Sequence, residues 1–233
     1  MKKNNVLIAF FIISIVFSAC GNDKDEQNWT IEHCEYTIDK EVIFTKNSTG
    51  ANVAEISFEV PVFSIDKYKL IAESMDKKKE DFFELNEESF TFYVLQGEKS
   101  DYREGDFPYY CTSSIEKIHY MNGYCSVLTN FRWYAGGISS YDSIPYNFSV
   151  ESGDEITLDE ICQIQEDELK KTILKELDKK GMEYDESLKD TINVYDMDDF
   201  RFYFDDTGIY VVFMTGEISC YAGGCITIPV MSF

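Results

Sequence analysis

Residues 131–162 read FRWYAGGISSYDSIPYNFSVESGDEITLDEIC. Phe131, Trp133 and Tyr134 are side chains that a pleated, half-buried surface accepts well. The Gly136-Gly137 pair that follows cannot continue a good strand and reads as a bulge or turn, or as a loop that lets a partner approach the backbone. Tyr146, Phe148 and Val150 alternate with Asn147 and Ser149, so a second strand with one buried face is predicted. Glu151-Ser152-Gly153-Asp154 reads as a tight turn. Thr157 and Glu160 then have the spacing of a capping box, which predicts a helix start. The Tyr134-Ala135-Gly136-Gly137 sequence recurs as Tyr221-Ala222-Gly223-Gly224.

Outward from this stretch, the same two periods organise the chain. Tyr109–Tyr120 and Tyr124–Tyr134 flank Asn122-Gly123, a strong two-residue hairpin signal. Cys34–Ile38 and Val42–Phe44 are short strand candidates, and Asn47-Ser48-Thr49-Gly50 is a turn into a strand over Val53–Val60. Pro61 is expected to end regular pairing. Ser64 is placed to cap a helix whose Ile65, Tyr68, Ile71, Ala72, Met75 and Phe82 share a face. Phe90, Phe92 and Val94 alternate as a strand, with a polar loop over Gln96–Phe107. Leu169, Ile173 and Leu177 recur every four residues, which predicts an amphipathic helix over Glu166–Lys180 stopped by Gly181. Met182–Asp199 reads as acidic and irregular. Phe200–Phe204 and Gly208–Met214 form a hairpin over Asp205-Asp206-Thr207-Gly208, and Thr227–Val230 is a final strand. The expected class is α+β, with antiparallel sheets and two main helices packed on one face.

At the amino terminus, Lys2 and Lys3 precede the apolar run Val6–Phe17, too short to span a bilayer as a mature helix and suited to a signal peptide. Ser18-Ala19-Cys20 completes a lipobox, so residues 1–19 are expected to be removed and Cys20 to carry the lipid. Acyl chains contribute about 0.8 kcal/mol per buried methylene, which makes two or three of them a stable membrane anchor. Residues 20–34 read as a polar tether. Residues 35–125 and 126–233 read as amino-terminal and carboxy-terminal α+β parts. This places the chain in the cell envelope, outside the cytoplasm, at the outer membrane or cell surface.

A formal charge of -22 disfavours nucleic acid and favours basic partners. With Cys20 lipidated, six cysteines remain, and an exported chain favours disulfides. Cys220 and Cys225 bracket the second Tyr-Ala-Gly-Gly and could close a short loop worth about 2 kcal/mol; they could equally pair elsewhere or stay reduced. His33 and His119 have no metal-ligand spacing, and neither a nucleophile elbow nor a phosphate loop is present. Adjacent carboxylates such as Asp198 and Asp199 would point to opposite faces of a strand, so they do not make a hydrolase pair. No catalytic residue, metal or cofactor is expected.

The aromatic strand with its Gly-Gly loop, the Tyr146-Asn147-Phe148 strand and turn, and the Ile156-Thr157-Leu158-Asp159-Glu160-Ile161 helix start resemble an extracytoplasmic domain. It is that of the lysozyme-binding ectodomain of the anti-sigma factor RsiV and of the non-catalytic part of the peptidoglycan deacetylase PdaC. The likeness continues through Phe202–Phe213, Tyr221-Ala222-Gly223-Gly224 and Ile226-Thr227-Ile228-Pro229. It extends more loosely back over Ile56–Cys125, through Val60-Pro61-Val62-Phe63. It implies a non-catalytic binding module for lysozyme or another envelope protein or glycan, with Tyr134, Gly136, Gly137, Tyr221, Gly223 and Gly224 as candidate contacts. The alternatives are an accessory domain of an envelope hydrolase or deacetylase, or a structural envelope protein. In one respect the chain departs from the family: Gly136-Gly137-Ile138-Ser139 stands where a Gly-Gly-Ala-His is usual.

Overall fold

The computed structural model describes residues 30–32, 34–97, 109–135, 139–162, 164–180, 186–218 and 224–233. Two sheets are stacked, each with helices on its outer side, an α+β architecture as the strand and helix periods imply. The larger sheet contains β1 (Ile31–Glu32), β2 (Tyr36–Lys46), β3 (Asn52–Phe63), β4 (Tyr109–Met121), β5 (Tyr124–Ala135) and β6 (Ser139–Ser149), in the order β2-β3-β4-β5-β6 with β1 on β4. The smaller sheet is β7 (Phe202–Asp205), β8 (Gly208–Phe213) and β9 (Ile226–Ser232). Among the described residues, no helix is long and apolar enough to cross a membrane.

Helix α1 (Lys69–Gly97) covers one face of the larger sheet. Ile71 and Met75 are fully buried there against Phe58, Cys125, Val127 and Phe148. The other face meets the smaller sheet, where Leu128 packs on Tyr203 and Val212 and Asn147 Nδ2 donates to the Phe202 carbonyl at 2.6 Å. The far side of the smaller sheet is closed by α2 (Leu158–Ile161), α3 (Glu166–Lys179) and α4 (Glu186–Val194). Leu169, Ile173 and Leu177 of α3 are fully buried in that core with Phe204, Val211 and Ile228. α1 and α3 therefore each bury one stripe against one sheet.

Several local expectations hold. The Asn122-Gly123 turn has φ of 50° and 84°, the left-handed pair that a two-residue hairpin needs. Asn47 Oδ1 accepts from Thr49 N, Thr49 Oγ1 and Ala51 N and so builds the β2–β3 turn. Thr157 N donates to Glu160 Oε2 at 2.7 Å in the capping box of α2.

Other expectations are corrected. Strands β3 and β4 pair in parallel, from Ala54 with Tyr109 to Phe58 with Ser113, because α1 carries the chain back along the sheet between them. Ser64 caps nothing: the helix begins through a 3₁₀ turn at Asp66–Tyr68 whose N-cap is Ile65, half exposed and off the buried face. Phe90, Phe92 and Val94 lie within α1 rather than in a strand, since extending an established helix costs less than starting a new element. Pro61 does not end pairing but sits opposite Ile38. β4 pairs with β3 only as far as Phe58, so the missing N–H of Pro61 disrupts no ladder on that side. Part of the stretch read as irregular forms α4 and a 3₁₀ turn at Met197–Asp199. Residue 125, the expected junction between the two parts, lies inside β5, which pairs on both sides.

Candidate functional site

Strand β5 brings Tyr134 to the end of the larger sheet, opposite Ser139 at the start of β6. Its partner in the β4 ladder is Tyr110, and the two half-buried rings stack at 5.6 Å with an interplanar angle of 23°. This meeting depends on a bulge. A two-residue turn at Asn122-Gly123 pairs Met121 with Tyr124, and an unbroken ladder would set Cys111 opposite Tyr134. The register shifts between Ile115 and Lys117, so Tyr110 takes that place and Cys111 pairs with Trp133. Two residues along β5, Arg132 lies 5.3 Å from the ring centre of Tyr141, its partner on β6. Tyr141 is 49% exposed and donates its hydroxyl to Asn130 Oδ1 at 2.7 Å. Tyr110, Tyr134, Arg132 and Tyr141 thus make a partly exposed aromatic platform with one cation.

The connection between β8 and β9 is fastened beside this platform. Asp142 of β6 is 3% exposed, and its carboxylate accepts from Thr215 N at 2.5 Å and from Ser140 Oγ at 2.7 Å. Thr215 Oγ1 donates to the Tyr141 carbonyl at 2.9 Å. Glu217 accepts from Met214 N, Tyr195 OH and Arg201 and holds the start of the same connection. At its other end, Gly224 has φ of +67° and the Cys225 thiol lies against Ser143. Burial is the main reason that thiol is pushed up from its ordinary value; hydrogen bonding to Ser143 opposes it, and the neighbouring Asp142 and Glu217 charges add to it. The flanks of both Tyr-Ala-Gly-Gly sequences are therefore brought to β6.

Of the residues expected here from sequence, Tyr134 and Gly224 are described, whereas Gly136, Gly137, Tyr221 and Gly223 lie outside the described residues, as does Cys20. Ser139, at the position where the family motif has histidine, is exposed and faces Tyr134 in the ladder. Sequence reasoning missed Tyr110, Arg132 and Tyr141. The hairpin turn places Tyr110 within one residue of Tyr134, and only the bulge completes the match.

The expected disulfides are not present among the described residues. Cys34, Cys111, Cys125, Cys162 and Cys225 are all free, and Cys220, the other half of the expected Cys220–Cys225 pair, lies outside the described residues. Cys111 lies in a cluster with Val53 and Ala54 and Cys162 in the core beneath α3, each apart from the other and from Cys125 in the core beneath α1; Cys34 packs against the same cluster as Cys125, and both are free. Each acts as a small apolar side chain. Among the described residues, no group of three His, Cys, Asp or Glu could hold a metal ion.

Residues 154–231 match the family model described as a protein of unknown function, DUF3298. That segment holds α2, α3, α4 and the smaller sheet. A crystal structure of a DUF3298 family member from Bacteroides fragilis is similar over 85% of this chain and 91% of its own, with a TM-score of 0.55 at 17% identity. A DUF3298 family protein from Pseudomonas aeruginosa is similar over 86% of this chain and 94% of its own, with a TM-score of 0.51 at 11% identity. The shared fold thus extends beyond the matched segment to the larger sheet. No curated protein matches the chain significantly.

Proposed function

We propose that the protein is a lipid-anchored binding module of the cell envelope, of the RsiV and PdaC domain type, that holds a cationic protein of the lysozyme kind and carries out no chemistry itself. The observation that supports this reading best is the aromatic platform of Tyr110, Tyr134, Arg132 and Tyr141, beside the described residues that flank the two Tyr-Ala-Gly-Gly sequences. Tyrosines of this kind offer a large contact area and a polar tip at little conformational cost, which suits them to interface hot spots. The net charge of -22 would steer a basic partner toward the molecule. The apolar run before Ser18-Ala19-Cys20 supports lipid anchoring at the outer membrane or cell surface.

Titration of the full chain, in detergent, against a cationic lysozyme tests the reading. Binding should be detected at low salt, and added salt should slow association more than it speeds dissociation. Tyr134→Ala should weaken binding about tenfold or more, the loss of one aromatic anchor. Its cost in stability should be only about 1 kcal/mol, the worth of the stack on Tyr110. Absence of binding at low salt would falsify the lysozyme assignment; binding of peptidoglycan fragments instead would move the partner to glycan. For the anchor, Cys20→Ala should yield an unprocessed precursor that takes up no acyl label.

A further inference from the structure

Strand β2 forms one edge of the larger sheet. Its outer side pairs with no described strand over Tyr36–Lys46, and its ladder to β3 is regular as far as Thr45. Most of the strand is exposed, Ile38 to 47% and Ile43 to 43%. A long, flat, accessible edge is a template for another strand unless something guards it. Lys40 is the residue placed to guard the middle of this one, but its ammonium turns to Glu55 of the neighbouring strand at 3.5 Å.

A cleft of about 310 Å³ runs beside this edge, between β2 and α1. Val60, Pro61 and Ala72 supply apolar lining, and Asp39, Glu41, Asp66 and Asp76 supply carboxylates. Lys79 is engaged with Glu41 at 3.0 Å and Asp76 at 2.9 Å, whereas Asp39 and Asp66 have no ion pair among the described residues. Asp39 and Glu41 lie two apart on β2 and so face the same side of the sheet, while Ile38, Lys40 and Val42 face the other.

We propose that the β2 edge takes up an extended peptide segment in which Lys or Arg alternates with apolar residues. Its backbone continues the ladder beyond β2. Its cations lie over Asp39 and Glu41 at the mouth of the cleft, and its apolar residues lie over Ile38 and Val42. Pairing of side chains directly across a ladder rewards opposite charges and penalises like ones. That rule argues against a second copy of this chain as the occupant. A two-fold axis through Asp39, Lys40 or Glu41 would set that residue on its own copy, like charge on like; one through Ile38 or Val42 would not, and those registers are what a test for a dimer without peptide reads. The alternation required of the guest is also independent of whether it runs parallel or antiparallel to β2, because the side-chain period is two in both cases.

The probe is a synthetic octapeptide of alternating lysine and valine, titrated into the full chain in detergent at low salt, with amide hydrogen exchange read on the complex. Protection should appear at Tyr36–Lys46, and affinity should fall about tenfold in Asp39→Lys. A glutamate–valine octapeptide should not bind. A lysine–valine peptide with every other amide N-methylated should bind at least tenfold more weakly, because it lacks the ladder donors. Loss of protection at β2, equal binding by the N-methylated peptide, or protection elsewhere would overturn the proposal; a two-fold dimer through β2 in the absence of peptide would overturn it in favour of a second copy. Tyr134→Ala should leave this binding unchanged, so failure here and failure of the aromatic platform are read separately. The exchange measurement on the unsubstituted protein stands even if Asp39→Lys fails to fold.

Discussion

Cys111 shows how far placement alters a single side chain. It is fully buried among Val53, Ala54 and Tyr109, and burial pushes its thiol up from 9.0 to about 12. The folded chain therefore keeps a proton that the unfolded chain releases, and the resulting stabilisation is complete below pH 9 and lost as pH rises from 9 toward 12. Thermal melts should show the midpoint falling across that window, and Cys111→Ala should reduce the slope. A midpoint that stays level between pH 9 and 11 would contradict the burial argument. Tyr120 and Tyr203 are also raised, chiefly by burial, so they act in the same direction and a residual slope should remain in the variant. The sequence favoured disulfides for these cysteines because compartment and an even count are all that composition offers. Which thiols lie near one another is a tertiary matter: the structure buries Cys111, Cys125 and Cys162 in different clusters and sets Cys34 against that of Cys125.

At the scale of elements, the turn after β6 is a tight joint with α1. Gly153 has φ of +76°, and a Cβ built there would lie 2.8 Å from Leu70 Cβ at the start of α1. Ser74 Oγ of α1 donates to the Gly153 carbonyl at 2.6 Å, so helix and turn are pinned together. Gly153→Ala should cost about 2–3 kcal/mol, strain and overlap combined, measured by denaturant midpoint. Gly123→Ala, where no atom lies within 4 Å, should cost only the strain of its positive φ, about 1 kcal/mol. Equal costs at the two positions would show that the close approach of α1 is unimportant. The four-residue recurrence in α3, the Asn-Gly hairpin and the capping box were all legible because each signal lies within one or two turns of chain. The strand read at Phe90–Val94 was not legible, since three alternating apolar residues fit a buried helix as well as a strand.

For the whole molecule, 43 acidic residues against 21 basic ones make repulsion a standing cost of the folded state. Ion pairs on the described surface, such as Lys67 with Glu32 at 2.6 Å and Arg201 with Glu217 at 3.0 Å, are partly exposed and individually worth little. Salt screens both effects, and with this imbalance the repulsion should dominate. The melting midpoint at pH 7 should therefore rise by a few degrees between low salt and about 0.5 M sodium chloride. A midpoint that falls with salt would show that the ion pairs outweigh the net charge.

The sequence by itself determined the α+β class, the two hairpins, the buried stripe of α3 and the placing of an aromatic strand before a Gly-Gly pair. All of these are encoded in residues that are neighbours along the chain, where period and turn chemistry act. The parallel pairing of β3 with β4, the stacking of the two sheets and the meeting of Tyr110 with Tyr134 were decided only by the tertiary structure. Long-range register carries no local signature. A single unpaired residue, Glu116, shifts the β4–β5 ladder, and with it which side chain faces Tyr134. The same holds for the β2 edge. Its alternating residues were readable as strand, but that nothing described pairs outside them follows from where β3, β4 and α1 pack, which the chain settles by burying its largest apolar faces together.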